Sequence, residues 1–283
     1  MTVGSILNEG SALLHPITDA PRLEAEVLLS HVTGLPRATL LAHPERPLPP
    51  AQRRRYRALL QRRAAGYPLP YLTGRVEFYG LEFAVTPDVL IPRPETERLV
   101  ELALARRPRT AVDVGTGSGC VAVTLAVHLP DVRVYATDLS GPALRVAAAN
   151  ARRHSVAGRV RLIQCDLFGP LAGPVDLVVA NPPYVAAAEW ASLPTSVRRY
   201  EPRLALDGGA DGLAVIRRLL GEAPRLLGPG GTLLVEIGAE QGKDAAALAR
   251  ALYPGARVAV HPDLAGRDRV LEVSWPLQPH LGS

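Results

Sequence analysis

Ala111-Val112-Asp113-Val114-Gly115-Thr116-Gly117-Ser118-Gly119 decides how the rest of the chain is read. Four residues of strand character run into glycines at alternate positions, and an apolar run from Cys120 to Leu129 then has helix length. Glycines at that point permit a tight turn and let a ligand approach the backbone closely. Outward from this unit the alternation continues. Strands are predicted over 133–137, 160–163, 175–180 and 232–237, and helices over 142–153, 213–220 and 241–252. Residues 257–260 and 270–274 follow as a hairpin-like pair, and 185–210 reads as a long loop.

Alternating strands and helices predict a doubly wound parallel sheet. Seven strands with an antiparallel ending fit a Rossmann-like α/β domain of the class I methyltransferase type, expected over 95–283. Residues 71–94 read as a hairpin linker, with Phe78-Tyr79-Gly80-Leu81 turning at the glycine. Residues 1–70 read as a small helical bundle. Pro21 suits a first helical position and Gly34 a stop, with Leu23, Val27, Leu28 and Val32 as the apolar stripe. A second helix is expected from Pro49-Pro50 to Gly66, with Tyr56, Leu59 and Leu60 inward, and a third from about Glu95, burying Leu99, Leu102 and Ala103.

The chain of 283 residues carries a formal charge of +5. Nine arginines against five acids in the first 70 residues concentrate that excess, six of them between Arg53 and Arg63. Such a face either binds an acidic partner or is simply solvated. No apolar run is long enough to span a membrane and the N-terminus lacks a signal-peptide pattern, so a cytoplasmic monomer is expected. Cys120 and Cys165 sit among apolar neighbours and are expected in the core. No residues have metal-ligand spacing.

Gly115, Gly117 and Gly119 give Gly-x-Gly-x-Gly, which is not the dinucleotide pattern Gly-x-Gly-x-x-Gly. Asp138 closes the second strand, 23 residues after Gly115, where a carboxylate can accept both ribose hydroxyls. Asp166-Leu167 follows the third strand and offers a carboxylate and an apolar surface to an adenine. These three strand ends favour S-adenosylmethionine over NAD, because they suit an adenosine and an amino acid with no phosphates. After the fourth strand, Val175–Ala180, comes Asn181-Pro182-Pro183-Tyr184. The Asn181 side-chain carbonyl and the Pro182 backbone carbonyl can each accept one N–H of a planar nitrogen, and Tyr184 can pack against it. Holding the nitrogen's lone pair towards a sulfonium methyl is catalysis by positioning, with no strong general base required. The loop leaves a protein glutamine, adenine N6 and guanine N2 all open.

Several stretches resemble the peptide chain release factor glutamine methyltransferases. They are Tyr71-Leu72-Thr73-Gly74, Glu77-Phe78, Leu90-Ile91-Pro92-Arg93-Pro94-Glu95-Thr96-Glu97, Asp113 to Gly119, Asn181 to Tyr184, Tyr200 to Leu206, and Asp263 to Asp268. The resemblance implies methylation of the N5 amide nitrogen of the glutamine in a Gly-Gly-Gln motif, with S-adenosylmethionine as cofactor and the release factor as protein partner. The ribosome would enter only indirectly, and no direct nucleic-acid substrate or membrane is implied. It further implies that Gly115, Thr116, Gly117, Ser118, Gly119, Asp138, Asp166, Leu167 and Asn181 line the cofactor. Asn181, Pro182, Pro183 and Tyr184 would form the glutamine site, with Asn181, Pro182 and Tyr184 catalytic and Arg93 shaping the pocket. The 91–97 stretch separates this family from the related ribosomal-protein glutamine methyltransferases, and the N-terminal bundle would help to hold the protein substrate. The rival enzyme is a nucleic-acid amino methyltransferase, which would need basic and aromatic groups together near the loop.

Overall fold

The computed structural model describes residues 1–276, and the expected domain end at residue 283 lies outside them. The chain forms two compact units: Met1–Arg75 with Pro194–Tyr200, and Val76–Leu193 with the chain from Glu201 onward.

The first unit holds α1 (Val3–Leu14), α2 (Pro21–Thr33), α3 (Arg37–Ala42), α4 (Pro50–Ala64) and α5 (Leu69–Thr73). α1 starts on a reciprocal cap: Ser5 N–H donates to Thr2 Oγ1, and Thr2 N–H donates to Ser5 Oγ at 2.9 Å. α2 has Pro21 at its first position and stops on Gly34 in the left-handed region. Its buried face is Ala25, Leu28, Leu29 and Val32. Leu23, expected in that stripe, is 43% exposed. At 3.6 residues per turn it lies on the opposite side of the helix. Tyr56 of α4 is fully buried and donates from its hydroxyl to the Ala25 carbonyl at 3.2 Å. A Cβ on Gly10 of α1 would fall 2.3 Å from that hydroxyl, so only glycine lets the two helices approach.

The arginine-rich face of α4 is partly spent inside this unit. Arg57 pairs with Glu9 at 2.8 Å, Arg63 with Glu24 at 2.6 Å, and Arg62 stands over the Tyr67 ring.

The second unit opens with the hairpin β1 (Arg75–Phe78) and β2 (Leu81–Ala84). Tyr79 and Gly80 both have positive φ, the signature of a two-residue turn matched to strand twist. After α6 (Thr96–Ala105) come β3 (Thr110–Val114), α7 (Cys120–His128), β4 (Arg133–Asp138), α8 (Gly141–Arg153), β5 (Val160–Gln164) and β6 (Val175–Ala180). The long loop is not structureless: it contains 3₁₀ turns at Ala187–Ser192 and Arg203–Ala205 and the helix α9 (Thr195–Tyr200). α10 (Ala214–Glu222), β7 (Leu227–Glu236), α11 (Gly242–Leu252), β8 (Arg257–Pro262) and β9 (Asp268–Ser274) complete it. β7 starts at Leu227, earlier than the expected Thr232, because it extends to pair Leu227 with Val175.

The sheet order is β5-β4-β3-β6-β7-β9-β8, parallel except for β9, which is antiparallel to both neighbours. Strand order reverses at β3, and ligands in open α/β sheets bind outside the carboxyl ends at such a point. Both faces are covered. Leu177 and Val179 of β6 join one apolar cluster with α6 and α7, while Val178 and Ala180 join the other with α10 and α11.

Candidate active site

A cleft of about 240 Å³ opens beyond the carboxyl ends of β3, β4 and β6. It is lined by Gly115–Ser118, Asp138, Leu139, Asp166, Leu167, Thr96 and Asn181–Pro183. Gly115, Gly117 and Gly119 all have positive φ, so the turn after β3 needs glycine at alternate positions. At Gly119 the need is also spatial, since an added Cβ would lie 3.1 Å from Ala147 Cβ of α8. The loop is tied to β4: the N–H groups of Gly115 and Thr116 both donate to the Thr137 carbonyl at 2.9 Å.

Two aspartates hold this turn in different ways. Asp113 is buried beneath it and accepts from Thr116 Oγ1 at 2.6 Å and from Ala122 N–H at 3.2 Å. Burial pushes its carboxyl up to about 6, against the pull of those two bonds. Asp138 accepts from Gly117 N–H at 2.9 Å through Oδ2 and from Ser140 N–H at 2.8 Å through Oδ1. Each oxygen keeps a lone pair for a further donor, as binding of two ribose hydroxyls requires.

After β5, Leu167 is held at φ 48, and its carbonyl accepts from Thr137 Oγ1 at 2.7 Å. The side chain lines the cleft beside the exposed Leu139. Asp166 is half-exposed and paired with Arg218 of α10 at 2.8 Å. Cys165 also borders the cleft and is not a core residue, unlike Cys120.

Cofactor chemistry can be tested on this lining. Arg218 is the one cation among the lining residues, against Asp88, Asp113, Asp138 and Asp166. An acidic cleft suits a sulfonium and an ammonium group and opposes a pyrophosphate. Among the described residues the buried Ser118 hydroxyl has no oxygen or nitrogen partner, and glycine at 115 and 117 leaves open space where side chains would stand. These features fit S-adenosylmethionine.

Asn181, Pro182 and Pro183 reach the cleft from the end of β6. Asn181 Nδ2 donates to Thr96 Oγ1 at 3.1 Å, which directs its amide nitrogen inward. Tyr184 departs from expectation: it does not line this cleft. Its backbone carbonyl accepts from Gln241 Nε2 at 2.9 Å and its hydroxyl faces Glu236 Oε1 at 3.4 Å, while burial pushes the phenol pKa up. The proline-fixed backbone aims the ring towards β7. Arg93 is likewise outside the lining. It pairs with the buried Glu201, which also accepts from Ile91 N–H at 3.1 Å.

Comparison with known proteins places this geometry. Residues 5–74 match the model of the PrmC N-terminal domain, and residues 94–195 that of the methyltransferase small domain. A release factor glutamine methyltransferase of Moorella thermoacetica is 53% identical over 256 residues, covering 89% of this chain and 90% of that protein. The chain belongs to the release factor glutamine methyltransferase family. A family member from Cereibacter sphaeroides is 47% identical, with 92% and 93% covered. Among solved structures, a methyltransferase from Pyrococcus furiosus shares the fold, with a TM-score of 0.53 at 19% identity over 79% of this chain and 98% of that one.

In a release factor glutamine methyltransferase, then, the loop Asn181–Tyr184 has supports that reading the sequence did not assign. Thr96 and Glu201 lie in stretches that carried the family resemblance, yet nothing local gave them partners. Glu236 was read only as part of a strand. Asp113 had one visible signal, an acid inside an apolar strand that leads into glycines.

Proposed function

We propose that this chain binds S-adenosylmethionine in the cleft and methylates the N5 amide nitrogen of the glutamine in the Gly-Gly-Gln motif of a peptide chain release factor. The observation that carries this reading is the bond from Asn181 Nδ2 to Thr96 Oγ1 at 3.1 Å. With its nitrogen engaged there, the amide has its carbonyl oxygen left for a substrate N–H. Gly115–Ser118 would hold the amino-acid end of the cofactor, Asp138 its ribose, and Leu139 and Leu167 its adenine. When bound there, the cofactor supplies a methyl group already activated by a positive sulfur.

The chain's own residues contribute orientation. Asn181 Oδ1 and the Pro182 carbonyl accept the two N–H bonds of a primary amide. That turns the nitrogen's lone pair, normally delocalised into the carbonyl, towards the cofactor side of the cleft. The same two acceptors stabilise positive charge on the nitrogen as it is methylated, and one N–H proton is then shed. Among the described residues the side chain of Asn181 bonds to the Thr96 hydroxyl and to no strong base, in keeping with chemistry by positioning. The enzyme is proposed to act as a monomer, meeting the ribosome only through a bound release factor.

The test is methyl transfer from labelled cofactor onto purified release factor with its Gly-Gly-Gln glutamine present or replaced. Labelling of the first protein alone is expected. Equal labelling of both, or labelling of RNA or DNA instead, overturns the proposal.

A further inference from the structure

Behind the Asn181 loop lies a carboxylate that the mechanism above does not use. Glu236 ends β7 and is fully buried. Tyr184 donates its hydroxyl to Glu236 Oε1 across a long 3.4 Å, and among the described residues Oε2 makes no well-formed hydrogen bond. The Thr96 hydroxyl faces the same carboxylate and favours its charged form. Thr96 Oγ1 in turn accepts from Asn181 Nδ2 at 3.1 Å. Asn181, Thr96 and Glu236 thus form a line running from the cleft into the core.

Donor and acceptor counting gives this line a direction. An ionised carboxylate only accepts, and a threonine hydroxyl has one proton. If that proton is given to Glu236, Thr96 offers Asn181 only lone pairs. Asn181 must then present its NH₂ inward and its carbonyl outward. We propose, resting on the glutamine-methylating reading above, that Glu236 is a positioning residue: through Thr96 it fixes the hydrogen-bond polarity of Asn181, so that Oδ1 is kept as the acceptor for the substrate amide. A neutral Glu236 can donate to Thr96. The threonine proton is then free to bond Asn181 Oδ1, and the amide turns its NH₂ to the substrate, where it cannot accept an N–H.

The setting makes that exchange accessible near neutrality. Burial pushes Glu236 up to about 7. The charged and titratable groups acting on it are Arg269 of β9, which favours its charge, Glu95 before α6, which opposes it, and Tyr184 of the loop. Protonation is the inactive direction, so kcat falls as pH drops through this value.

The test uses the full-length protein with Glu236→Gln, Thr96→Val and Thr96→Ser. Glu236→Gln is expected to lower kcat by ~100-fold, the size of losing one positioned polar group. Its cofactor affinity stays within threefold, and the acid limb of the kcat profile disappears. Thr96→Val falls to a similar level, while Thr96→Ser keeps both the rate and the acid limb. A second readout needs no substrate. The side-chain amide ¹⁵N signal of Asn181, assigned by its loss in Asn181→Asp, is expected to titrate near pH 7 in the wild type. It should be flat in Glu236→Gln and in Thr96→Val. Wild-type kcat in Glu236→Gln, an acid limb that survives in that variant, or an Asn181 signal that still titrates in Thr96→Val would each overturn the inference. If wild-type enzyme labels no glutamine, the function proposed above fails, and the ¹⁵N titration still decides the polarity.

Discussion

Two buried glutamates on neighbouring strands show what the same side chain does in different company. Glu272 on β9 accepts from His261 Nε2 and Ser274 Oγ, each at 2.8 Å, and pairs with Arg106. Burial works to raise its pKa, but those three partners together hold it below the ordinary value. Glu236 on β7 is as deeply buried, has only the long Tyr184 bond and the facing Thr96 hydroxyl, and is raised to about 7. The first is a saturated acid on the antiparallel strand between β7 and β8, far in sequence from any cleft-lining residue. The second is an under-satisfied acid directly behind the Asn181–Tyr184 loop. Satisfaction marks a structural group, and a tolerated deficit marks one whose proton matters.

Variants can break or sharpen that contrast. The largest effect is expected at the outer end of the Glu236 line. Asn181→Ala should lose ~10²- to 10³-fold in kcat, with cofactor affinity within a few fold by calorimetry. Loss of cofactor binding instead would show that Asn181 serves the cofactor alone. Next is Glu272→Ala, which leaves the guanidinium of Arg106 and the ring of His261 without their carboxylate partner. Urea unfolding at pH 7 should show a loss of about 2 kcal/mol with kcat unchanged. Because its folded pKa is depressed, the contribution of Glu272 is present above about 4.5 and fades as pH falls through the folded value, so variant and wild type should converge in acid.

Glu236→Gln should behave in the opposite sense on stability. Glu236 has a folded pKa raised from 4.5 to about 7, so its favourable contribution is present below 4.5 and lost as pH rises through 7. The glutamine variant should therefore equal wild type at pH 4 and exceed it by about 3 kcal/mol at pH 8. A variant destabilised at every pH would make Glu236 another Glu272. The smallest effect is expected far from both acids. Arg53 and Arg54 of α4 lie on its surface, and Arg53→Glu with Arg54→Glu should raise KM for the protein substrate about threefold at low salt, vanishing at high salt. No change at low salt would mean that this face is merely solvated.

How much of this was legible in the sequence follows from how local each signal is. β6 was read to the residue because a continuous apolar run ends at Asn181-Pro182, and α2 because Pro21 and Gly34 punctuate it. The glycine turn and Asp138 were equally plain. What escaped is non-local. Arg93 finds Glu201, Asn181 finds Thr96 and Tyr184 finds Glu236 across long stretches of chain, and no periodicity announces such pairs. Leu23 misled because leucine spacing alone does not say which side of a helix meets its neighbours. Tyr184 misled because the loop's chemistry suggested a wall for the substrate, whereas its ring turns towards the core.

The make-up of the first unit bears on the order in which the protein is built. Met1–Arg75 is completed by Pro194–Tyr200, whose Tyr200 ring lies edge-on to Tyr67 at 4.8 Å and whose hydroxyl donates to the Ala65 carbonyl. During synthesis the five N-terminal helices must wait, one aromatic edge uncovered, until the first four strands of the large sheet have left the ribosome. The amino-terminal unit starts first and finishes late, so excising it at residue 75 would not yield the whole of it.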